Sequence, residues 1–261
     1  MHTGRVCGLL TGAILAAGVQ ARQRFDDDDA AIAAAVLTGG RLAQAFRDLA
    51  GSVNCGEITG IDLTTFAGRL RYIRTGTGSR CGRLHLKWGS RANEIIEASL
   101  SESGDRGPEP GCANCAVTTF RSLADAVGLQ PGDSVVVAGL AGGVGLLGNL
   151  CGALAAGVIA RAAERYLGRA GAPRDSWLRG GLEELVGSSY WGEPSSARFA
   201  FAEQFGSDLC LDIVGRRFAS GDDHSEFIRD GGCREIVNFV VRRFSESGRS
   251  RRTSPSPARM L

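Results

Sequence analysis

Apolar positions along this chain recur mostly on a helical period. Asp26 to Asp29 precede an apolar stretch from Ala30 to Leu49, and carboxylates there favour the positive end of a helix dipole. Ala-rich periodic stretches predict further helices at 151–168 and 196–210, and a third lies at 233–244. Residues 112–128 read as a helix ended by Gly128. The apolar run 6–21, VCGLLTGAILAAGVQA, has two readings, a signal peptide behind Arg5 or a packed helix rich in small residues. It stops short of the about 20 residues a membrane span requires, and no other segment reads as long and apolar enough to span a bilayer. The chain is therefore expected to be mainly α and to have no membrane span.

The packed-helix reading gains support from an internal repeat. Phe46 to Gly60 aligns without a gap against Phe201 to Gly215, with six of fifteen positions identical and two more pairing Asp with Glu. Each segment is preceded by a Cys-Gly run of small apolar residues, at Cys7-Gly8 and Cys151-Gly152. Each is followed by a cysteine opening an amphipathic stretch, Cys81 or Cys233. The pattern predicts two tandem copies of a small helical unit. The first covers 1–105 and the second 106–244, joined through SESGDRGPEP at Ser101–Pro110. The second copy has an extra opening helix around Cys115 without a counterpart in the first. From Ser245 to Leu261 the Ser/Arg/Pro-rich sequence predicts a disordered basic tail.

Composition narrows the function classes. The 261 residues are 43% hydrophobic and 22% charged, enough for real cores, and a net charge of +2 gives no reason to expect a nucleic-acid partner. Glycine, at 38 residues, is about twice the usual share, so many backbone positions need its freedom. Eight cysteines are too few for a disulfide scaffold and many for an ordinary intracellular enzyme. With the packed-helix reading of 6–21, the expected location is cytoplasmic.

Four thiols drawn from separate helix ends can serve an iron–sulfur cluster or zinc, because soft sulfur satisfies these metals without other ligand types. The alternative is a dithiol/disulfide pair. The second copy offers Cys115, Cys151, Cys210 and Cys233; the first offers Cys7, Cys55 and Cys81, with Cys112 as a fourth only from the linker side. Cys112-x-x-Cys115 is a single CxxC pair. Glu57 and Asp212 each lie two residues after a cysteine; they would raise a nearby thiol's pKa and read better as helix-surface carboxylates. His2, His85 and His224 lie far apart and read as surface or packing residues. No GxSxG elbow and no Walker lysine occurs.

At these residues the chain resembles the redox-active C-GCAxxG-C-C family, as two copies up to about residue 244. Asn114-Cys115-Ala116 matches that family's first cysteine, Cys7 and Cys151 its Cys-Gly-Ala-x-x-Gly motif, Cys55 and Cys210 its third cysteine, and Cys81 and Cys233 its fourth. Leu9 replaces the motif alanine in the first copy and Ala156 the motif glycine in the second. The resemblance implies electron transfer or thiol redox through clustered cysteines, which could hold an iron–sulfur cluster. Gly8 and Gly152 would then be motif glycines beside the cofactor or thiol site. It leaves the electron-transfer partner unidentified, and leaves open whether the protein is an enzyme. The duplicated unit could act as an intramolecular pseudo-dimer or a homo-oligomer.

Two rival readings remain. Val135 to Val137 leads into Gly143-x-Gly145-x-x-Gly148, with Glu164 further on, which resembles the NAD(P)-binding turn of medium-chain dehydrogenases. A Rossmann fold needs more βαβ units than residues 165–245 suggest. The third reading is a helical scaffold with merely buried cysteines.

Overall fold

A computed structural model describes residues 5–63, 65–104, 112–127, 131–167 and 192–252. These residues form helices and turns with no strand, apart from two isolated bridges, so the protein is mainly α. His2, Gly128, most of the Ser101–Pro110 linker and the end of the tail lie outside the described residues.

The first half contains α1 (Gly8–Arg24), α2 (Asp28–Ala50), α3 (Cys55–Thr59), α4 (Phe66–Arg74) and α5 (Thr77–Gly104). Asp27 caps α2, its Oδ1 accepting the Ala30 N–H at 2.8 Å, while Asp28 and Asp29 sit in the first turn. Gly51, in the left-handed region at φ 77°, ends the helix. The run 6–21 is a packed helix with Leu10, Ile14, Ala17, Gly18 and Ala21 buried. Trp88 of α5 donates its indole N–H to the Leu9 carbonyl and packs edge-on to Phe46.

The second half contains α6 (Cys115–Val127), a 3-10 segment (Pro131–Leu140), α7 (Gly152–Leu167), α8 (Gly192–Phe205), α9 (Cys210–Val214), α10 (Gly221–Arg229) and α11 (Arg234–Arg252). Helix α11 runs to Arg252, where the Ser/Arg/Pro composition suggests a disordered tail from Ser245. Among the described residues no helix is long and apolar enough to cross a membrane.

The 3-10 segment is the centre of the packing and touches α1, α2, α6 and α7. Val135, Val137, Ala138 and Leu140 are fully buried there. The β-branched run that resembles the strand of a dinucleotide-binding turn is thus helical, and the glycines after it have no sheet to follow. A run buried on every side loses the alternation that distinguishes strand from helix. Glycines let backbones meet around this segment. A Cβ on Gly18 would come within 2.6 Å of the Val136 backbone, and one on Gly39 within 2.9 Å of Gly139.

From Gly142 to Leu146 the chain makes a left-handed turn, with φ between 57° and 81° at five successive residues, Val144 and Leu146 included. Left-handed backbone costs a non-glycine residue about 1–2 kcal/mol, and the surroundings require it. A Cβ on Gly145 would lie 2.5 Å from Ala43 of α2, and one on Gly143 would lie 2.7 Å from the Cys210 Cβ. The glycine motif therefore threads backbone between α2 and a cysteine.

Candidate functional site

Seven cysteines fall into two groups, one in each half. In the first half the Cys7 N–H donates to Val53 O at 2.7 Å and the Cys55 N–H to Arg5 O at 2.7 Å, across the Val6–Asn54 bridge. In the second, the Cys151 N–H donates to Asp208 O at 2.9 Å and the Cys210 N–H to Asn149 O at 2.8 Å, across the Leu150–Leu209 bridge. Each bridge pins a motif cysteine, at the start of a long helix, beside the third cysteine, which opens a five-residue helix. Those short helices end at Gly60 and Gly215, both left-handed. Thr65 and Ser220 then cap α4 and α10, which lead back to Cys81 and Cys233.

The second group is buried. Cys115, Cys151, Cys210 and Cys233 are each less than one-tenth exposed, and none of the eight cysteines is in a disulfide. Asn114 caps α6, its Oδ1 accepting the N–H groups of Ala116 and Val117 at 3.0 Å, while its Nδ2 donates to the buried Ala138 carbonyl at 3.0 Å. This fixes Cys115 as the first helical residue. Its thiol is in hydrogen-bonding contact with Cys233 and with His224. The Cys233 contact and burial drive the Cys115 pKa well above its ordinary value, with His224 opposing. Burial, with Cys115 nearby, raises Cys151 to about 12 against the pull of backbone N–H groups at Leu154 and Ala153. Burial likewise raises Cys210, reinforced by Cys151 and Cys115.

The first group is more open, with Cys7 buried and Cys55 and Cys81 half-buried. Burial raises Cys7, and it raises Cys55 to about 11 with help from Cys7 and Cys81. Tyr72 on α4 hydrogen-bonds Cys81; burial first, then that contact, lifts its own pKa.

His224, which alone in the sequence reads as a surface or packing residue, is 2% exposed, lies edge-on to Phe218 and contacts Cys115. Its Nε2 has no hydrogen-bond partner. A spacing search cannot find it, because its only relation to Cys115 is spatial. His85 is exposed. Glu57 and Asp212 are exposed and hold local turns, accepting from Ser52 and Ser207 respectively at 2.6 and 2.7 Å. The hydrogen bonds from Ser52 and Asn54 keep the Glu57 carboxyl below its ordinary range.

The motif glycines differ. A Cβ on Gly152 would lie 2.3 Å from the Leu140 carbonyl oxygen, whereas one on Gly8 would meet nothing within 4 Å. Gly152 therefore serves the contact between α7 and the 3-10 segment.

The two groups are tied across the halves. Arg5 donates to both Asp208 carboxylate oxygens at 2.8 and 3.3 Å, and Arg198 donates to the same carboxylate, whose side chain is 3% exposed. Asn149 Nδ2 donates to Asn54 Oδ1 at 3.1 Å. The residues that brace one cysteine group thus grip those that brace the other.

Buried, mutually close thiols can exchange a disulfide or ligate a soft metal. Among the described residues no group of three or more His, Cys, Asp or Glu side chains converges tightly enough to hold a metal ion.

A family model described as "Putative redox-active protein (C_GCAxxG_C_C)" matches residues 113–247. No curated protein and no solved structure matches the chain.

Proposed function

The chain belongs to the C-GCAxxG-C-C family, and from that premise we propose a thiol-redox protein whose working pair is Cys115 and Cys233. The observation that carries the proposal is the contact between these two buried thiols, with His224 against Cys115. Two electrons leave the pair as a disulfide forms between them, and both thiol protons pass to the reduced acceptor. His224, touching Cys115, is placed to take its proton on the way. Cys151 and Cys210 complete the group, and Cys7, Cys55 and Cys81 with Tyr72 form a second, three-thiol group. The matched bridges, short helices and capped helices of the two halves support a tandem duplication that left one chain as its own pseudo-dimer. The acceptor or donor is a redox partner bearing a thiol or disulfide. A cytoplasmic setting, where thiols are kept reduced, suits eight cysteines without a disulfide.

A second reading, a cluster held by Cys115, Cys151, Cys210 and Cys233, draws support from the convergence of four thiols in one group. It would require them to close to ligand distance, which the described geometry does not supply. The chain purified without oxygen separates the readings. Mild oxidation should remove two titratable thiols, with mass mapping placing the bond between Cys115 and Cys233. Eight thiols titratable before and after would refute the dithiol. Iron with acid-labile sulfide, lost on Cys151→Ser, would replace the dithiol with the cluster.

A further inference from the structure

The eighth cysteine, Cys112, stands at the entry to α6. It lies three residues before Cys115 in the irregular segment leading into α6, half-buried in the wall of a cavity of about 660 Å3. Ala33 and Leu37 of α2, Leu146 and Leu147 of the left-handed turn, and Phe218 supply apolar lining. Phe218 also packs edge-on to His224, ring centroids 4.8 Å apart, and His224 touches Cys115. The Ala113 N–H donates to Ser225 Oγ at 2.8 Å, fixing the Cys112 segment to α10. One CxxC pair therefore reaches from the cavity wall to the buried thiols.

We propose that Cys112 is the receiving thiol of this site and that the cavity beside it takes an uncharged, apolar disulfide. The proposal rests on the thiol-redox reading and extends it to a substrate class. Cys112 attacks one sulfur of the incoming disulfide and its proton passes to the other; the S–S bond breaks to give the first thiol, which stays tethered where the disulfide is cyclic. Cys115 gives up its proton and attacks the Cys112 sulfur, so that a Cys112–Cys115 disulfide forms and the second thiol leaves with a proton. Cys233 then attacks Cys115, restoring the Cys112 thiol and leaving a Cys115–Cys233 disulfide. In sum the external disulfide gains two electrons and two protons, and the buried pair loses them.

The preference for an uncharged ligand comes from the lining. Its charged side chains are Arg41, Asp48 and Asp222, and Arg41 is already met by Glu102 at 2.6 Å. The remaining acidic charge disfavours a disulfide that carries carboxylates, while the apolar wall rewards buried hydrocarbon.

Full-length reduced protein should be mixed with oxidised lipoamide, oxidised glutathione or the small oxidant diamide, then acid-quenched and mapped by mass. The ratio of lipoamide to glutathione rates in forming the Cys115–Cys233 disulfide should be higher in the parent chain than in Ala33→Trp. Cys115→Ser should trap a lipoamide adduct on Cys112. Cys112→Ser should lose about tenfold, or roughly 1.4 kcal/mol of barrier, toward lipoamide relative to its own rate with diamide. Ala33→Trp, which fills the cavity and keeps every thiol, should show the same selective loss. Equal lipoamide rates for Cys112→Ser and the parent chain, with Cys115–Cys233 still forming, would overturn the role of Cys112 and leave the thiol reading standing. A lipoamide-to-glutathione ratio unchanged in Ala33→Trp would overturn the substrate class. A parent chain inert to all three reagents would overturn the thiol reading itself.

Discussion

Gly8 and Gly152 occupy the same place after the motif cysteine, yet alanine should act on them in opposite directions. At Gly152 the new Cβ would lie 2.3 Å from the Leu140 carbonyl oxygen and 3.0 Å from its carbon, both backbone atoms. Ordinary contact begins at 3.4 Å, so α7 must move about 1 Å away from the 3-10 segment or distort it. Overpacking of this kind costs about 1–3 kcal/mol, partly offset by the roughly 0.5–1 kcal/mol that alanine gains over glycine in a helix. The net loss is up to about 2.5 kcal/mol, or a Tm lower by up to about 10 °C at the roughly 2–4 °C per kcal/mol of a chain this size. Gly8→Ala meets nothing within 4 Å and should leave Tm unchanged or raise it by up to about 4 °C. Circular dichroism melts under reducing conditions measure both. Shifts of the same sign and size would refute the packing argument and show that the motif glycine serves the cysteine rather than the helix contact.

Asp208→Ala removes the carboxylate shared by Arg5 and Arg198. The cost should fall between the roughly 1 kcal/mol of an exposed pair and the about 3–5 kcal/mol of a buried one, read as the urea midpoint. An unchanged midpoint would show that the tie between the halves contributes nothing to stability. Asn114→Ala loses the α6 cap, about 1 kcal/mol, and strands the buried Ala138 carbonyl, about 1–3 kcal/mol more; a loss confined to a few tenths would contradict the bond. The raised thiols set a pH dependence. Below about pH 8.5, the ordinary thiol value, they are neutral folded and unfolded, and the stability is fully present. Above it the unfolded thiols ionise first, so stability falls by up to about 1.4 kcal/mol per pH unit for each buried thiol. The fall continues toward the folded values, about 12 for Cys151. Urea midpoints compared across this range in reductant should decline, and a flat profile would count against the burial of the group.

Helices α2 and α6 follow from apolar period, because each presents one buried face and one wet one. The pairing of Cys7, Cys55 and Cys81 against Cys151, Cys210 and Cys233 follows from internal alignment. What escaped that reading has no local signature. Val135–Val137 resembles a strand because a segment buried all round has lost its period. His224 and Tyr72 join the thiols only through the return of α10 and α4. Arg5 and Asp208, far apart in sequence, show their relation only once both bridges form. Sequence composition also stops short at Ser245, where α11 continues to Arg252.

The position of the 3-10 segment bears on how the chain could be divided. Pro131–Leu140 lies beyond the stretch that joins the halves, yet it fills the trough between α1 and α2. A fragment ending at Gly104 would leave Ile14, Ala17 and Ala35 facing water. The halves made separately should be poorly soluble alone and should recover by complementation when co-expressed. Protease cleavage between Gly104 and Cys112 should leave two pieces that stay together. The first half therefore depends on the second for part of its interior.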